Sequence, residues 1–179
     1  MRVMKFGYSS VEKIISVGEG TRVELDFIDV LNRNEGVLVG DKASGFICVL
    51  GETRETETYP PRPFRVNAGA IHQYVYVGDD KTKYLSEVKM GDQIAVTDGE
   101  NERLVSVGRV KIEKRPFKKI FLKNGLSATL QDADSVFIQG KNREIHFKEI
   151  SGEEEIAYVE EENCARHKGQ VIEETIEER

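Results

Sequence analysis

The chain contains no tryptophan, only two cysteines and four prolines, and no apolar run that approaches the length of a membrane span. Each shortage excludes something. A bilayer-crossing helix needs about 20 predominantly apolar residues, and none is present. The start, Met1-Arg2-Val3-Met4-Lys5-Phe6-Gly7, lacks the apolar stretch of a secretory leader, so the expected location is the cytoplasm. Cys48 and Cys164 form no C-x-x-C pair, and reduced thiols are expected. Cys164 and His167 have a C-x-x-H spacing without a second ligand pair, which does not make a zinc site. Long helical periodicity is also scarce, with candidates only at Tyr84 to Lys89 and within the last ten residues.

What the chain does have is 179 residues, enough for one large domain or two small ones, with 39% hydrophobic and 32% charged residues. Net charge is −6, unevenly spread. From Arg62 to Lys123 there are 13 basic and 8 acidic residues, whereas from Glu144 to Arg179 there are 4 basic and 12 acidic. A basic middle suits an anionic ligand. Nucleic acid is not expected, because the aromatic residues do not interleave with the basic ones as a stacking platform requires.

Most segments alternate apolar and polar residues and end at Gly, Asp or Asn turns. Val11 to Val17, Thr21 to Ile28, Gly45 to Leu50, Gln93 to Thr97, Arg103 to Glu113, Lys118 to Leu122 and several others read as short strands. The expected fold is mainly β, built of small barrel or sandwich modules with few short helices. The chain also resembles itself weakly at an offset of 62 residues: Gly78 matches Gly140, Tyr74-Val75 matches Val136-Phe137, and Ile94-Ala95 matches Ile156-Ala157. The expected organisation is therefore an N-terminal β segment (1–58), a first β-module (59–123) and a second, degenerate module with an acidic tail (124–179).

Polar chemistry concentrates in Arg62-Pro63-Phe64-Arg65-Val66-Asn67-Ala68-Gly69-Ala70-Ile71-His72, behind Pro60, Pro61 and Pro63. The prolines stiffen the approach and bias the preceding residues to extended backbone. If extension continues, Arg65, Asn67 and Gly69 share one face, with Val66 and Ala68 on the other. A guanidinium fork and a carboxamide side by side suit a carboxylate or phosphate. The same pattern also describes a solvated edge strand. In the strand Gly108 to Pro116, Arg109, Lys111 and Arg115 share a face with Glu113, and Val110 and Ile112 are expected to be buried. The corresponding segments of the second module lack these groups.

Three stretches, Arg62 to His72, Thr82-Lys83-Tyr84-Leu85-Ser86-Glu87 and Val107-Gly108-Arg109-Val110-Lys111-Ile112-Glu113, resemble the archaeal-type (type II) 3-dehydroquinate synthase family. Gly36 to Gly40, Leu130 to Ala133 and Arg166 to Gly169 resemble further landmarks in the same order. The resemblance runs from about Val11 and matches the C-terminal half of the family's proteins.

It implies an NAD-dependent oxidative deamination of 2-amino-3,7-dideoxy-D-threo-hept-6-ulosonate, followed by aldol closure to 3-dehydroquinate, in aromatic amino-acid biosynthesis. Such chemistry needs a hydride acceptor, a base and a cationic grip on the carboxylate. On this reading His72 or Lys83 moves protons, Arg62, Arg65, Arg109 and Lys111 hold the carboxylate, and Asn67 holds hydroxyls. No dinucleotide-binding motif is visible, since Gly18-Glu19-Gly20-Thr21-Arg22-Val23 lacks the last glycine of the fingerprint. The expected partners are the small-molecule substrate and an N-terminal half or partner chain, with self-association left open. The rival expectation is a non-catalytic β-module that binds a small anion or a partner protein.

Overall fold

In the computed structural model, the described residues are 5–161, 164–167, 170–173 and 178, and only the backbone is described at 164–167 and 170–173. The chain is mainly β. Its strands are β1 (Gly7–Phe27), β2 (Gly36–Lys42), β3 (Gly45–Leu50), β4 (Arg65–Ala70), β5 (Tyr74–Gly78), β6 (Lys81–Tyr84), β7 (Gln93–Thr97), β8 (Glu102–Leu122), β9 (Ser127–Gln131), β10 (Phe137–Gln139), β11 (Glu144–His146), β12 (Glu155–Glu160), β13 (Cys164–His167) and β14 (Gln170–Glu173). Strands β1 to β12 join one 12-stranded sheet, and β13 and β14 form a separate hairpin. All pairings among the described strands are antiparallel.

Two 21-residue strands organise the sheet. β1 and β8 pair with each other almost throughout, from Val11↔Leu122 to Phe27↔Val107. Each then pairs with further strands: β1 with β4 and β12, β8 with β7 and β9. The alternation in the sequence suggests a break within each, at Gly18 to Gly20 and at Pro116, but both strands run through. The register shifts between Ser16 and Gly18, where Gly18 adopts φ +91°, and Pro116 lies opposite Glu19 beside that shift. A bulge tolerates an unpaired residue and a missing amide donor, so pairing resumes beyond it.

The core lies on one face of this ladder. Val23, Leu25 and Phe27 of β1 pack with Val66 and Ala68 of β4, Val37 and Val39 of β2, Ile120 and Leu122 of β8, and Ala128 and Leu130 of β9. A second cluster gathers Leu38, Phe46, Cys48, Tyr74 and Tyr76. Val110 is partly buried against the first cluster, whereas Ile112, expected inside, is 56% exposed. It lies on the stretch of β8 between its pairings with β7 and β9, where no strand pairs along its outer edge. Of the helix candidates, Tyr84 to Lys89 contains one 3-10 turn, Leu85–Glu87; in the last ten residues 170–173 is strand and most of the rest lies outside the described residues.

A weak internal repeat is not confirmed. The order strand, strand, 3-10 turn, strand occurs both from β5 to β7 and from β10 to β12, with the turns at Leu85–Glu87 and Phe147–Glu149. Both runs nevertheless feed the same sheet. Among the described residues no helix is long and apolar enough to cross a membrane.

Candidate functional site

The sequence of β1 alternates Arg22-Val23-Glu24-Leu25-Asp26-Phe27, so a strand here must put three charged side chains on the face opposite its core residues. Its neighbours complete the pattern. Across β4 and β8, Arg65 and Arg109 sit opposite Asp26, Asn67 and Lys111 opposite Glu24, and Glu113 opposite Arg22. The result is a charge lattice three strands wide. Arg65 grips Asp26 with two hydrogen bonds, Nε to Oδ1 at 2.7 Å and Nη2 to Oδ2 at 3.2 Å. Arg109 Nε donates to the same carboxylate at 2.7 Å. Glu24 lies 3.3 Å from Arg65, 3.5 Å from Arg22 and 3.7 Å from Lys111.

This lattice is buried: Arg22, Glu24, Asp26, Arg65 and Asn67 are all less than a tenth exposed. Charges taken out of water must be paired and hydrogen-bonded, and here they are. Burial alone pushes the Asp26 carboxyl up, but the hydrogen bonds and charges of Arg65 and Arg109 outweigh it and hold it below the usual carboxylate range. The Asp26 hydrogen bond likewise raises Arg65 further above its ordinary value.

Above the lattice is a pocket of about 170 Å³ lined by Arg22, Glu24, Tyr59, Arg62, Arg65, Lys111, Gln131, Ala133 and Ser135. Four cations and one carboxylate line it, and each cation is also held by a carboxylate: Arg22 by Glu113, Arg62 by Glu52, Arg65 by Asp26 and Lys111 by Glu24. Arg62 stacks on Tyr59 at 4.4 Å and pairs with Glu52 at 2.8 Å. Burial pushes the Glu52 carboxyl up to about 7, with the Arg62 charge opposing and the Glu24 charge assisting. Two larger clefts, about 570 and 510 Å³, lie around Gln139 and Asn142. Arg33 and Arg143 beside the second are exposed and paired with Glu144 and Glu154.

Of the residues singled out in the sequence, Arg62, Arg65 and Lys111 line the pocket together. Asn67 is buried next to it, bonded to Gln131, while Arg109 holds Asp26 from a largely exposed position. His72 and Lys83 are not in its lining. Lys83 pairs with Asp92 at 3.0 Å. His72 Nε2 meets Asp41 at 2.7 Å with its ring half in solvent. Asp41 is itself buried and accepts hydrogen bonds from Ser127 at 2.8 Å and Thr129 at 2.9 Å. Burial pushes its carboxyl up, yet the bonds from His72, Ser127 and Thr129 and the Lys119 charge hold it below the usual range. Thr129 and Gln131 lie on the same face of β9, so the His72 cluster and the pocket are about 7 Å apart along that strand.

Sequence reasoning missed Arg22, Glu24, Asp26, Asp41, Glu52 and Gln131. The alternation in β1 was the available signal: a buried-strand pattern with charge on its second face demands partners, and the basic strand at 109–113 carries the complementary order. With φ +96° Gly69 lets the backbone of β9 come close, and a Cβ there would meet the Thr129 carbonyl oxygen and Gln73 Nε2. Ala68 is the extra residue of a bulge in β4, so the strict alternation ends there.

Among the described residues no group of three or more His, Cys, Asp or Glu side chains could hold a metal ion. Cys164, Arg166 and His167 have side chains outside the described residues, as does Lys168 altogether. A dinucleotide does not fit the pocket above the lattice. The first strand is followed by no glycine-rich turn opening a helix, and the pocket is smaller than the roughly 300–1,000 Å³ of ordinary ligand sites.

Residues 8–179 match the family model described as the 3-dehydroquinate synthase II C-terminal domain. A 3-dehydroquinate synthase homolog of Aquifex aeolicus is 41% identical over 175 residues, covering 94% of this chain and 52% of the relative. The 3-dehydroquinate synthase of Methanosarcina barkeri is 41% identical over 174 residues, covering 94% of this chain and 45% of the relative. A 3-dehydroquinate synthase homolog of Persephonella marina is 43% identical over 179 residues, covering 96% and 53%. The chain spans about half the length of the curated relatives it matches. No solved structure matches it. A charge lattice built from the most distinctive stretches of the sequence and a family match over nearly the whole chain agree: the chain belongs to the 3-dehydroquinate synthase II family, as its C-terminal domain.

Proposed function

We propose that this chain is the C-terminal part of an enzyme that oxidatively deaminates 2-amino-3,7-dideoxy-D-threo-hept-6-ulosonate with NAD and closes the product to 3-dehydroquinate. The observation that carries the reading is the pocket, where four cations and one carboxylate meet above a buried lattice of paired charges. The lattice matters because a cationic grip works best when it is already in place. Arg65 is locked by Asp26 and Arg62 by Glu52, so neither loses rotamer freedom when a substrate carboxylate arrives.

In this reading Arg62, Arg65 and Lys111 hold the carboxylate, and Arg109 and Asp26 fix Arg65 from behind. His72 takes the proton, one step along β9 from the pocket, with Asp41 anchoring its Nε2; Lys83, tied to Asp92, is the alternative base. NAD supplies the hydride acceptor when bound. The pocket above the lattice does not fit it, and we assign its site to the half of the enzyme that this chain does not include.

The test is reconstitution. The chain is co-expressed with, or fused to, the N-terminal half of a relative, and formation of 3-dehydroquinate is measured with NAD and the amino sugar acid. Turnover is expected, with kcat/KM lowered about tenfold or more in Arg62→Ala and lowered through kcat in His72→Ala. No turnover and no NAD binding by the joined protein would leave the chain as a non-catalytic anion-binding β-module. Unchanged kinetics in both variants would refute the site.

A further inference from the structure

Two buried polar side chains of the pocket lining, Arg22 and Gln131, and a third directly beneath it, Asn67, have mutually determined orientations. Arg22 Nη1 donates to Gln131 Oε1 at 2.9 Å. Asn67 Nδ2 donates to the same oxygen at 2.7 Å. Arginine has donors only, so it admits the Gln131 amide in one sense, with the oxygen turned toward Arg22. That oxygen in turn admits the Asn67 amide in one sense, with its nitrogen turned toward Gln131. Reversing either amide would set two donors or two acceptors against each other. Arg22 is itself held from the other side by Glu113 at 3.1 Å.

Two groups are left over by this arrangement. With Oε1 occupied twice, Gln131 keeps its Nε2 donor, and Gln131 lines the pocket. Asn67 keeps its Oδ1 acceptor, which is buried and has no hydrogen-bond partner among the described residues. Arg22, Asn67 and Gln131 are 6%, 2% and 8% exposed, so they lie out of bulk solvent. An unfilled buried acceptor is costly, by about 1–3 kcal/mol, and asks for a donor. A ligand hydroxyl answers both needs, because it accepts from Nε2 in the pocket and donates to Oδ1 through one ordered water beneath it. A bare carboxylate or ketone offers no donor.

We propose that Gln131 is a ligand-binding residue of this pocket, oriented by Arg22 and paired with Asn67 Oδ1, and that the three select a hydroxylated carboxylate over the same carboxylate without hydroxyls. The cations Arg62, Arg65 and Lys111 take the charge, and the amide pair reads the hydroxyl. Arg22 is a positioning residue. The inference rests on the pocket being the substrate site of the preceding reading, and it adds residues and a selectivity that reading does not assign.

The experiment uses the 179-residue chain and two probes with one ring and one carboxylate each, quinate and cyclohexanecarboxylate, titrated by calorimetry. Quinate is expected to bind about tenfold tighter, the worth of one net hydrogen bond. Gln131→Glu keeps the acceptor oxygens that Arg22 and Asn67 require but lacks the donor, so it folds and its preference falls toward unity even as its charge weakens both probes. Arg22→Lys loses the preference in part, because a point charge does not fix the amide. Arg62→Ala weakens both probes alike and leaves their ratio intact. Equal affinities in the wild-type chain, no binding of either probe at tens of millimolar, or an unchanged ratio in Gln131→Glu would each overturn the proposal. Selectivity without turnover in the reconstituted enzyme would instead sink the catalytic reading and leave this one standing.

Discussion

Glu52 is the residue whose protonation the fold contests most openly. It is 5% exposed, with Oε1 on Arg62 and Oε2 without a hydrogen-bond partner among the described residues. Its carboxyl stands at about 7 against an ordinary 4.5. A folded-state value raised above the unfolded one favours the folded protein fully below about pH 4.5, and that advantage disappears as pH rises through 7. The expected cost of ionising it in place is on the order of 3 kcal/mol. Urea unfolding at pH 5 and pH 8.5 checks this: Glu52→Gln is expected to lose less stability between the two than the wild-type chain, and parallel behaviour would refute the assignment. The same ionisation puts a second negative charge beneath Arg62, so anion binding in the pocket weakens over the same range.

At the scale of elements, the closest approach lies between β4 and β9. Gly69 turns at φ +96° directly under Thr129, and Gln73 staples the two strands through Ala68 O at 3.0 Å and Thr129 N at 2.8 Å. Gly69→Ala adds a Cβ against a carbonyl at a backbone angle that L-residues avoid, and is expected to cost about 2–4 kcal/mol. The midpoint of denaturant unfolding reports it, and an unshifted midpoint would contradict the close contact. Because Asn67 and Gln131 sit on these strands, the variant is also expected to weaken anion binding.

Much at this scale was legible in the sequence. Alternation located most strands, because each has one buried face, and the unusual density of Arg, Asn and His behind the prolines pointed to β4 and its pocket. The sequence did not disclose that two pairs of short strands are really two long ones, since a bulge at Gly18 and a proline at 116 look like ends when no partner is known. Nor did it disclose which charges meet. Asp26 gains its meaning only once β1 is known to run between β4 and β8, and strand order is a property of long-range pairing that local pattern does not contain. His72 and Lys83 suffered the same limit: both are near the right segments in sequence, yet each is tied to a carboxylate outside the pocket lining, Asp41 and Asp92.

For the whole molecule, the central fact is that one sheet and one principal core draw on strands from every part of the chain. Gly7 pairs with Tyr158, and Val11 with Leu122. The long strand β1 therefore has few native neighbours until β8 and β12 exist. During synthesis it leaves the ribosome well before either partner, presenting alternating apolar side chains and unpaired amides to whatever is nearby. Folding must wait for distant segments to meet, and topologies of this kind fold over milliseconds to seconds. Stopped-flow circular dichroism would see it, the chain having no tryptophan to follow; recovery within microseconds would contradict it. The ribbon that aligns the charge lattice in the finished protein is thus the segment that waits longest for its partners while the chain is being made.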